Sequence, residues 1–338
     1  MIALLCHTLG YPYQVLSKDG MIFSGSSSKN QNRLHLGYHY PRSADTIKEC
    51  QVGYAAFMEN LKKYVRKIDN YYLIDNKSHI SYAQYQSIFE CRETPLDIDL
   101  ELASGLIEAV FDCDERQINH EAVRTRFSDL FSSKVAVFDP QLLELDGDKI
   151  EYDGQSYDYF FNCTYGQSLI GFPMLNLHAN YELCLTLVYE HLTGDATYGV
   201  TVMDGGFFSL FPLTGSLYTL THVKHTPLKT SSCLKDLEAY AQVAITTELI
   251  GEKRKMFEVD VVKYFPNFSQ CFKYHHYFLS YKCKFDHSTD DRSLRTFVDG
   301  KRMMFVGGKI TGVYEMLKII TKAFGLPDFK CSEFNRYL

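Results

Sequence analysis

Residues 24–43 read SGSSSKNQNRLHLGYHYPRS. Three serines and a run of amides lead into alternating aromatic and histidine residues, a mixture too polar for a core and too varied for a linker. Ser26, Ser27 and Ser28 read as a helix N-cap region, since short hydroxyl side chains accept from the N–H groups that open a helix. Beyond them Leu34, Leu36, Tyr38 and Tyr40 alternate with His35, Gly37 and His39, the period of a strand with two dissimilar faces. On such a strand His35 and His39 stand roughly 13 Å apart, at about 3.3 Å per residue, and cannot share one metal ion.

Outward from this stretch the pattern alternates. Residues 1–9 read as the tail of a buried helix ended by Gly10 and Pro12, followed by a short strand over 13–16. Helical periodicity covers 46–68 and 120–131, while 134–138 and 157–162 read as strands buried on both faces. Between those strands, LLELDGDKIEY at 142–152 predicts a hairpin around Asp146 and Gly147. The middle of the chain, from about 180 to 285, is rich in strand formers, with strands expected over 199–203, 207–211 and 217–223. Near the end, an apolar strand over 302–306, the turn Gly307-Gly308 and a helix over 311–324 form a unit that presents a helix dipole.

Composition narrows the classes of function. The 338 residues, 46% hydrophobic and 22% charged, suit a globular chain of about two domains at roughly 150 residues each. A net charge of −6 offers no general attraction for nucleic acid or anionic membrane. No apolar run reaches the roughly 18 residues of a membrane span, and MIALLCHTLG lacks the basic start of a signal peptide, so a cytoplasmic protein is expected. Ten cysteines without a C-x-x-C pair point to reduced, buried thiols rather than structural metal.

Motif by motif, most chemistries fall away. SSSK at 26–29 fits S-x-x-K, but neither S-D-N nor K-T-G accompanies it. His222 and His225, in THVKHTP, fall on opposite faces of a strand and read as satisfied, partly buried histidines. Gly308-Lys309 lacks the upstream glycine and the following hydroxyl of a P-loop, which argues against ATP hydrolysis. No G-x-G-x-x-G occurs among the 21 glycines.

The opening stretch resembles the segment after the second strand in FAD-dependent oxidoreductases of the D-amino-acid oxidase and glycine oxidase superfamily, especially bacterial members with GYHYPRS. The match continues in register through YDYFFNCTYG (157–166), VMDGGFFSLFPL (202–213), LTHVKHTP (220–227) and FVGGKITG (305–312), nearly the whole chain. The resemblance implies roles by position. Ser26, Ser27 and Ser28 would start a helix beside the FAD ribose and pyrophosphate, and Asn30, Asn32 and Arg33 would reach the flavin side. Leu34 and His35 would run beside the isoalloxazine, with Gly37 giving close access. Leu142 would face the adenine through its backbone, and the loop holding Thr164 and Gly166 would close over the cofactor. Gly307, Gly308, Lys309, Ile310 and Thr311 match the turn whose helix N-terminus faces flavin N1 and the C2 carbonyl. His39 and His225 are the candidate catalytic residues, and no metal is implied.

Two departures stand out. Ser17 occupies the place of the acidic residue that binds the adenosine ribose, and Met1 falls inside what resembles the helix after the glycine loop. The first parallel strand and its G-x-G-x-x-G turn are absent from the matched pattern, so the chain is expected to be N-terminally truncated. The expected fold is α/β: a Rossmann-like FAD-binding domain from 1–45, 120–175 and 290–338, its first strand missing, and a largely antiparallel α+β substrate domain from 46–119 and 176–289. The implied function is oxidation of an amine- or hydroxyl-bearing carbon of a small molecule by hydride transfer to FAD. A non-redox or sugar-nucleotide-modifying flavoprotein and a non-catalytic remnant are the alternatives.

Overall fold

A computed structural model describes residues 1–89, 93–94, 102–175, 179–194, 197–285, 293–326 and 331–338. The domain borders expected at 176 and 290 lie outside the described residues. In chain order, the first part runs α1 (Ile2–Leu9), β1 (Val15–Ser17), β2 (Arg33–Leu34), α2 (Ala44–Leu61), β3 (Val65–Arg66), β4 (Asp69–Asp75), α3 (Tyr82–Phe89) and β5 (Glu93–Thr94). It continues with β6 (Ile107–Asp112), β7 (Arg116–Ile118), α4 (His120–Phe131), β8 (Val135–Val137), β9 (Leu143–Asp146), β10 (Lys149–Tyr152), β11 (Gln155–Ser156) and β12 (Phe160–Asn162). The remainder holds β13 (Ala179–His191), β14 (Tyr198–Met203), β15 (Phe208–Thr214), β16 (Leu217–His222), β17 (Pro227–Ser231), α5 (Leu234–Ala244), α6 (Thr247–Val261) and α7 (Phe268–Cys271). It closes with β18 (Phe272–Phe285), β19 (Leu294–Asp299), β20 (Arg302–Gly307) and α8 (Val313–Ala323).

The architecture is α/β, a Rossmann-like unit beside a largely antiparallel one. In the first unit β1 pairs parallel with β8, and β12 pairs parallel with β20, which β19 flanks antiparallel. These parallel pairs form separate sheets among the described residues. Helices α1, α2, α4 and α8 cover them, burying Leu4, Phe57, Phe127 and Leu317 in one core with Met303 and Phe305 of β20. The helix α2, assigned above to the substrate domain, contributes to this core. In the second unit a nine-stranded sheet runs from β17 and β13 through β16, β15, β14 and β4 to β6 and β5, with β18 along the other side of β13. Ile250, Phe257 and Val261 bury one stripe of α6 against Leu187, Val200, Leu210 and Leu220, each apolar side chain contributing about 1.5–3 kcal/mol by leaving water.

Local chemistry explains the ends. Asn119 caps α4 by accepting from the Ala122 N–H at 3.1 Å, and Ser43 caps α2 by accepting from Thr46. The hairpin at Asp146-Gly147 and the Gly307-Gly308 turn form as expected. Other expectations fail. No helix follows Ser26, Ser27 and Ser28: Ser28 Oγ turns back to the Gly25 carbonyl and Asn30 Nδ2 donates to the carbonyls of Ser26 and Ser27 at 2.8 Å each, closing turns instead. The strand expected over 34–40 stops at Leu34, because Gly37 adopts φ +99° and Tyr40 N–H donates to its carbonyl at 2.8 Å. A side chain at 37 would put its Cβ 2.9 Å from the Ile47 backbone, so this turn requires glycine. The strand at 135–137 is not buried on both faces, Val137 being 61% exposed.

Candidate active site

The turn at Gly37 decides the site. It folds His39 back beside His35, ring centroids 5.0 Å apart and nearly perpendicular, where a continuous strand would have separated them. The expectation that these histidines stand too far apart to share one metal ion is thereby corrected, since their ligand atoms lie within 4.8 Å of one another. Beneath them lies a buried polar network that joins the two units. Arg33 on β2 pairs with Gln117 on β7, which places Glu115, just before β7, next to the guanidinium. From the large sheet, Tyr72 of β4, Thr201 of β14 and Ser209 of β15 meet the same guanidinium.

Its geometry is nearly saturated. Arg33 Nη1 donates to Tyr72 Oη at 2.9 Å and lies 3.4 Å from Glu115 Oε2; Nη2 donates to Thr201 and Ser209 at 3.0 Å each. The guanidinium also sits 3.9 Å from the centre of the Phe211 ring. Glu115 Oε1 accepts from the Leu36 N–H at 2.8 Å, and Oε2 accepts from Tyr72 Oη at 2.6 Å. Tyr72 Oη is in turn 2.5 Å from His39 Nδ1. Both Arg33 and Glu115 side chains are wholly buried.

Charge follows from these contacts. Burial alone would raise the Glu115 pKa, but His35, Arg33 and His39 around it reverse the effect and hold it below the carboxylate range. Burial lowers the His39 pKa well below its ordinary value, with Arg33 and His35 acting in the same sense. His35 is lowered by burial against the opposing pull of Glu115. Burial, then Glu115, drives the Tyr72 phenol well up, so it keeps its proton. His35, His39 and Glu115 bring potential ligand atoms within 4.8 Å of one another, yet both Glu115 oxygens already accept hydrogen bonds. The trio reads as a hydrogen-bonded network rather than a metal centre.

The Gly307-Gly308 turn stands beside this cluster. Lys309 donates to the Tyr40 hydroxyl and lies 3.9 Å from the Tyr40 ring centre, and Tyr40 packs 6.0 Å from both histidine rings. Gly307 and Gly308 hold φ near +77° and +79°, a conformation open to glycine. No side chain caps the start of α8 or the turn at Ile310–Gly312 before it, though the Gly312 N–H donates to the Lys309 carbonyl at 2.9 Å. Thr311 Oγ1 and Asn32 Oδ1 are buried without a hydrogen-bond partner among the described residues. A helix start without a side-chain cap, the Thr311 hydroxyl, the Lys309 ammonium and a glycine turn fit the electron-rich pyrimidine edge of a flavin. Those at 307–311 are the positions expected to contact it.

Other expected residues lie elsewhere. Arg33 is locked in the network, and Leu34 is fully buried in the first core, so neither side chain is open to a cofactor. Ser26 Oγ donates to the Tyr281 carbonyl at 3.3 Å. Leu142 is 40% exposed at the head of β9. Thr164 is tied to Asn162, and Gly166 presses on Val306 while its carbonyl accepts from Tyr181. His225 belongs to a second cluster. Thr226 N–H donates to the His222 carbonyl, and this tight turn stacks the His222 and His225 rings 4.2 Å apart, both on Asp260 of α6. Opposite strand faces do not describe this pair, because β16 ends at His222. Glu115, Tyr72 and Asp260 escaped the sequence; an acid within DCDERQI, at 112–118, carries no signal without its distant partners.

No family model matches the chain. It is 27% identical over 326 residues to the FAD-dependent monooxygenase FPY4 of Fusarium mangiferae, covering 93% of this chain and 85% of that protein. Among solved structures, L-proline dehydrogenase from P. horikoshii superposes with a TM-score of 0.69 at 11% identity, covering 99% of this chain and 94% of that one. Glycine oxidase from Geobacillus kaustophilus gives a TM-score of 0.67 at 10% identity, covering 95% and 91%. The fold expected from residues 24–43 is therefore found: the chain has the fold of glycine oxidase and L-proline dehydrogenase, and in sequence it is similar to a protein named as an FAD-dependent monooxygenase.

Proposed function

We propose that this chain is an FAD-dependent oxidoreductase that oxidises an amine- or hydroxyl-bearing carbon of a small molecule. The observation that carries the reading is the convergence of two halves of a site. The uncapped head of α8, behind Gly307 and Gly308, stands through Lys309 and Tyr40 beside His35 and His39. FAD, when bound, would supply the acceptor for the hydride leaving carbon. The protein's own groups do the rest. Backbone N–H groups at 309–311 and the Lys309 ammonium favour negative charge at the pyrimidine edge. Thr311 Oγ1 and Asn32 Oδ1 supply buried polar contacts. The partly exposed histidines offer polar contact to substrate, while the large sheet behind Tyr72 and Thr201 excludes water.

A second reading is favoured by the sequence relative, a monooxygenase by name: insertion of oxygen into the substrate rather than simple oxidation. The visible spectrum of the purified protein and its melting temperature with added FAD test the shared premise. A yellow protein, or a gain in stability that grows with FAD to about 2.7 kcal/mol at a hundredfold excess over Kd, is expected. A colourless protein indifferent to FAD sinks both readings. Anaerobic bleaching by amino acids, hydroxy acids or nucleotide sugars alone marks the oxidase. Bleaching only by an added nicotinamide reductant, with oxygen appearing in the product, marks the monooxygenase.

A further inference from the structure

Tyr72 Oη has three polar neighbours: Glu115 Oε2 at 2.6 Å, His39 Nδ1 at 2.5 Å and Arg33 Nη1 at 2.9 Å. A phenol carries one hydrogen, a guanidinium only donates, and an ionised carboxylate only accepts. Glu115 is such a carboxylate: it accepts from Leu36 on one oxygen and faces Arg33 with the other. The Tyr72 hydrogen must then point at Glu115, because the opposite choice sets two lone pairs against each other at 2.6 Å in a buried site. With that hydrogen committed, the contact to His39 can be a hydrogen bond only if Nδ1 carries a proton and donates it. Burial keeps His39 neutral, so its lone pair lies on Nε2. Among the described residues Nε2 makes no hydrogen bond, and the ring is partly exposed.

We propose that Tyr72 and Glu115 are positioning residues that hold His39 as the Nδ1–H tautomer and leave Nε2 as the proton acceptor for a substrate O–H or N–H. In the step this serves, the substrate proton passes to Nε2 and its bonding pair becomes the new C=O or C=N bond. FAD, when bound, would take the hydrogen on carbon as hydride. Proton and hydride account for the two electrons and two hydrogens removed. The imidazolium so formed already points its Nδ1–H at the Tyr72–Glu115 pair, where the negative charge waits. The catalytic part of this inference rests on the proposed oxidoreductase function; the tautomer does not.

The test is nitrogen NMR of the protein labelled with 15N-histidine, with the His39 signals assigned by their loss in His39→Gln. Two-bond couplings to the ring protons show which nitrogen is protonated. The expected pattern is a protonated Nδ1 and a bare Nε2, and a protonated Nε2 overturns the proposal. Tyr72→Phe removes the acceptor while leaving the Arg33–Glu115 pair, and should move His39 towards the Nε2–H form; an unchanged tautomer there removes Tyr72 from the role. Should that variant fail to fold, the parent spectrum still decides. In protein that holds FAD and is bleached by a substrate, the acid limb of the reduction rate against pH should shift in Tyr72→Phe, and an unmoved limb overturns the catalytic part. A colourless protein with Nδ1 protonated retires the oxidoreductase reading and keeps the tautomer, whereas a yellow protein with Nε2 protonated does the reverse.

Discussion

Two histidines and a carboxylate meet in two places in this chain, and the settings differ. His35 and His39 stand on Glu115, which is wholly buried and faces an equally buried Arg33 and the Tyr72 phenol. His222 and His225 stand on Asp260, which is 25% exposed and is reached by Lys263 from the surface. In the first cluster a phenol interposes and fixes where one ring's proton sits. In the second, His222 Nδ1 accepts from the Lys224 backbone N–H at 3.1 Å, so its Nε2–H donates directly to Asp260 and no nitrogen of that ring is left over. The same residue types make a proton acceptor in one place and a closed brace in the other. The difference is made by what occupies the second nitrogen.

The largest expected effect probes burial. Arg33→Met strands the Glu115 carboxylate without its cation and should cost about 3–5 kcal/mol in chemical denaturation. Asp260→Asn leaves neutral donors near solvent and should cost about 1 kcal/mol. Equal losses would break the comparison.

An acid titration sharpens it. Burial, aided by His225 and the lysines at 224 and 263, pulls the His222 pKa down to about 4 against the opposing Asp260. Between about pH 6.5 and 4 the unfolded chain therefore takes up a proton that the folded chain refuses, and stability falls as pH falls, by roughly 3 kcal/mol for this group. His35 and His39, also lowered, add slope of the same sign. The Glu115 contribution is present above the usual carboxylate pKa and is lost only as pH drops through its depressed folded value. His222→Gln should reduce the slope of unfolding free energy over pH 4–6.5 without abolishing it; an unchanged slope would show that His222 titrates freely.

A modest change in fold stability, about 1–2 kcal/mol, is expected for Gly308→Val, which forces a β-branched residue to φ near +79° with its Cβ 3.3 Å from Leu294. Its diagnostic effect is on the cofactor. The thermal gain from FAD should vanish in Gly308→Val and survive in Asp260→Asn. Loss in both would mean that the two clusters serve one site.

Much of the scaffold was legible because it is local. Asn119 before an apolar i, i+4, i+8 series marks α4, Asp146-Gly147 marks its hairpin, and Gly307-Gly308 marks the entry to α8. The site was legible only in part. Alternation over 34–40 imitates a strand, and nothing in one sequence says that Gly37 breaks it by packing against Ile47. Glu115 and Tyr72 reach His39 through pairings between distant segments, and an acid that will be buried looks like any surface acid. The polar run at 24–32 misled on form, since its hydroxyls and amides bond to neighbouring carbonyls before a helix can start.

The ladder between β13 and β18 has a kinetic consequence. It pairs Ala179 with Phe285 at one end and His191 with Phe272 at the other, with a register shift at Val188. A slip of one residue would turn the buried side of β13 outward, and the closing loop contains four further strands, β14 to β17, and the helices α5 to α7. Its chain entropy is spent before any ladder bond forms, which makes this a slow step. On the ribosome, at roughly 5–20 residues per second, the run LCLTLVY at 183–189 emerges several seconds ahead of its partner. For that interval the side of β13 that β18 will cover is an unpaired edge, a template for pairing with another chain.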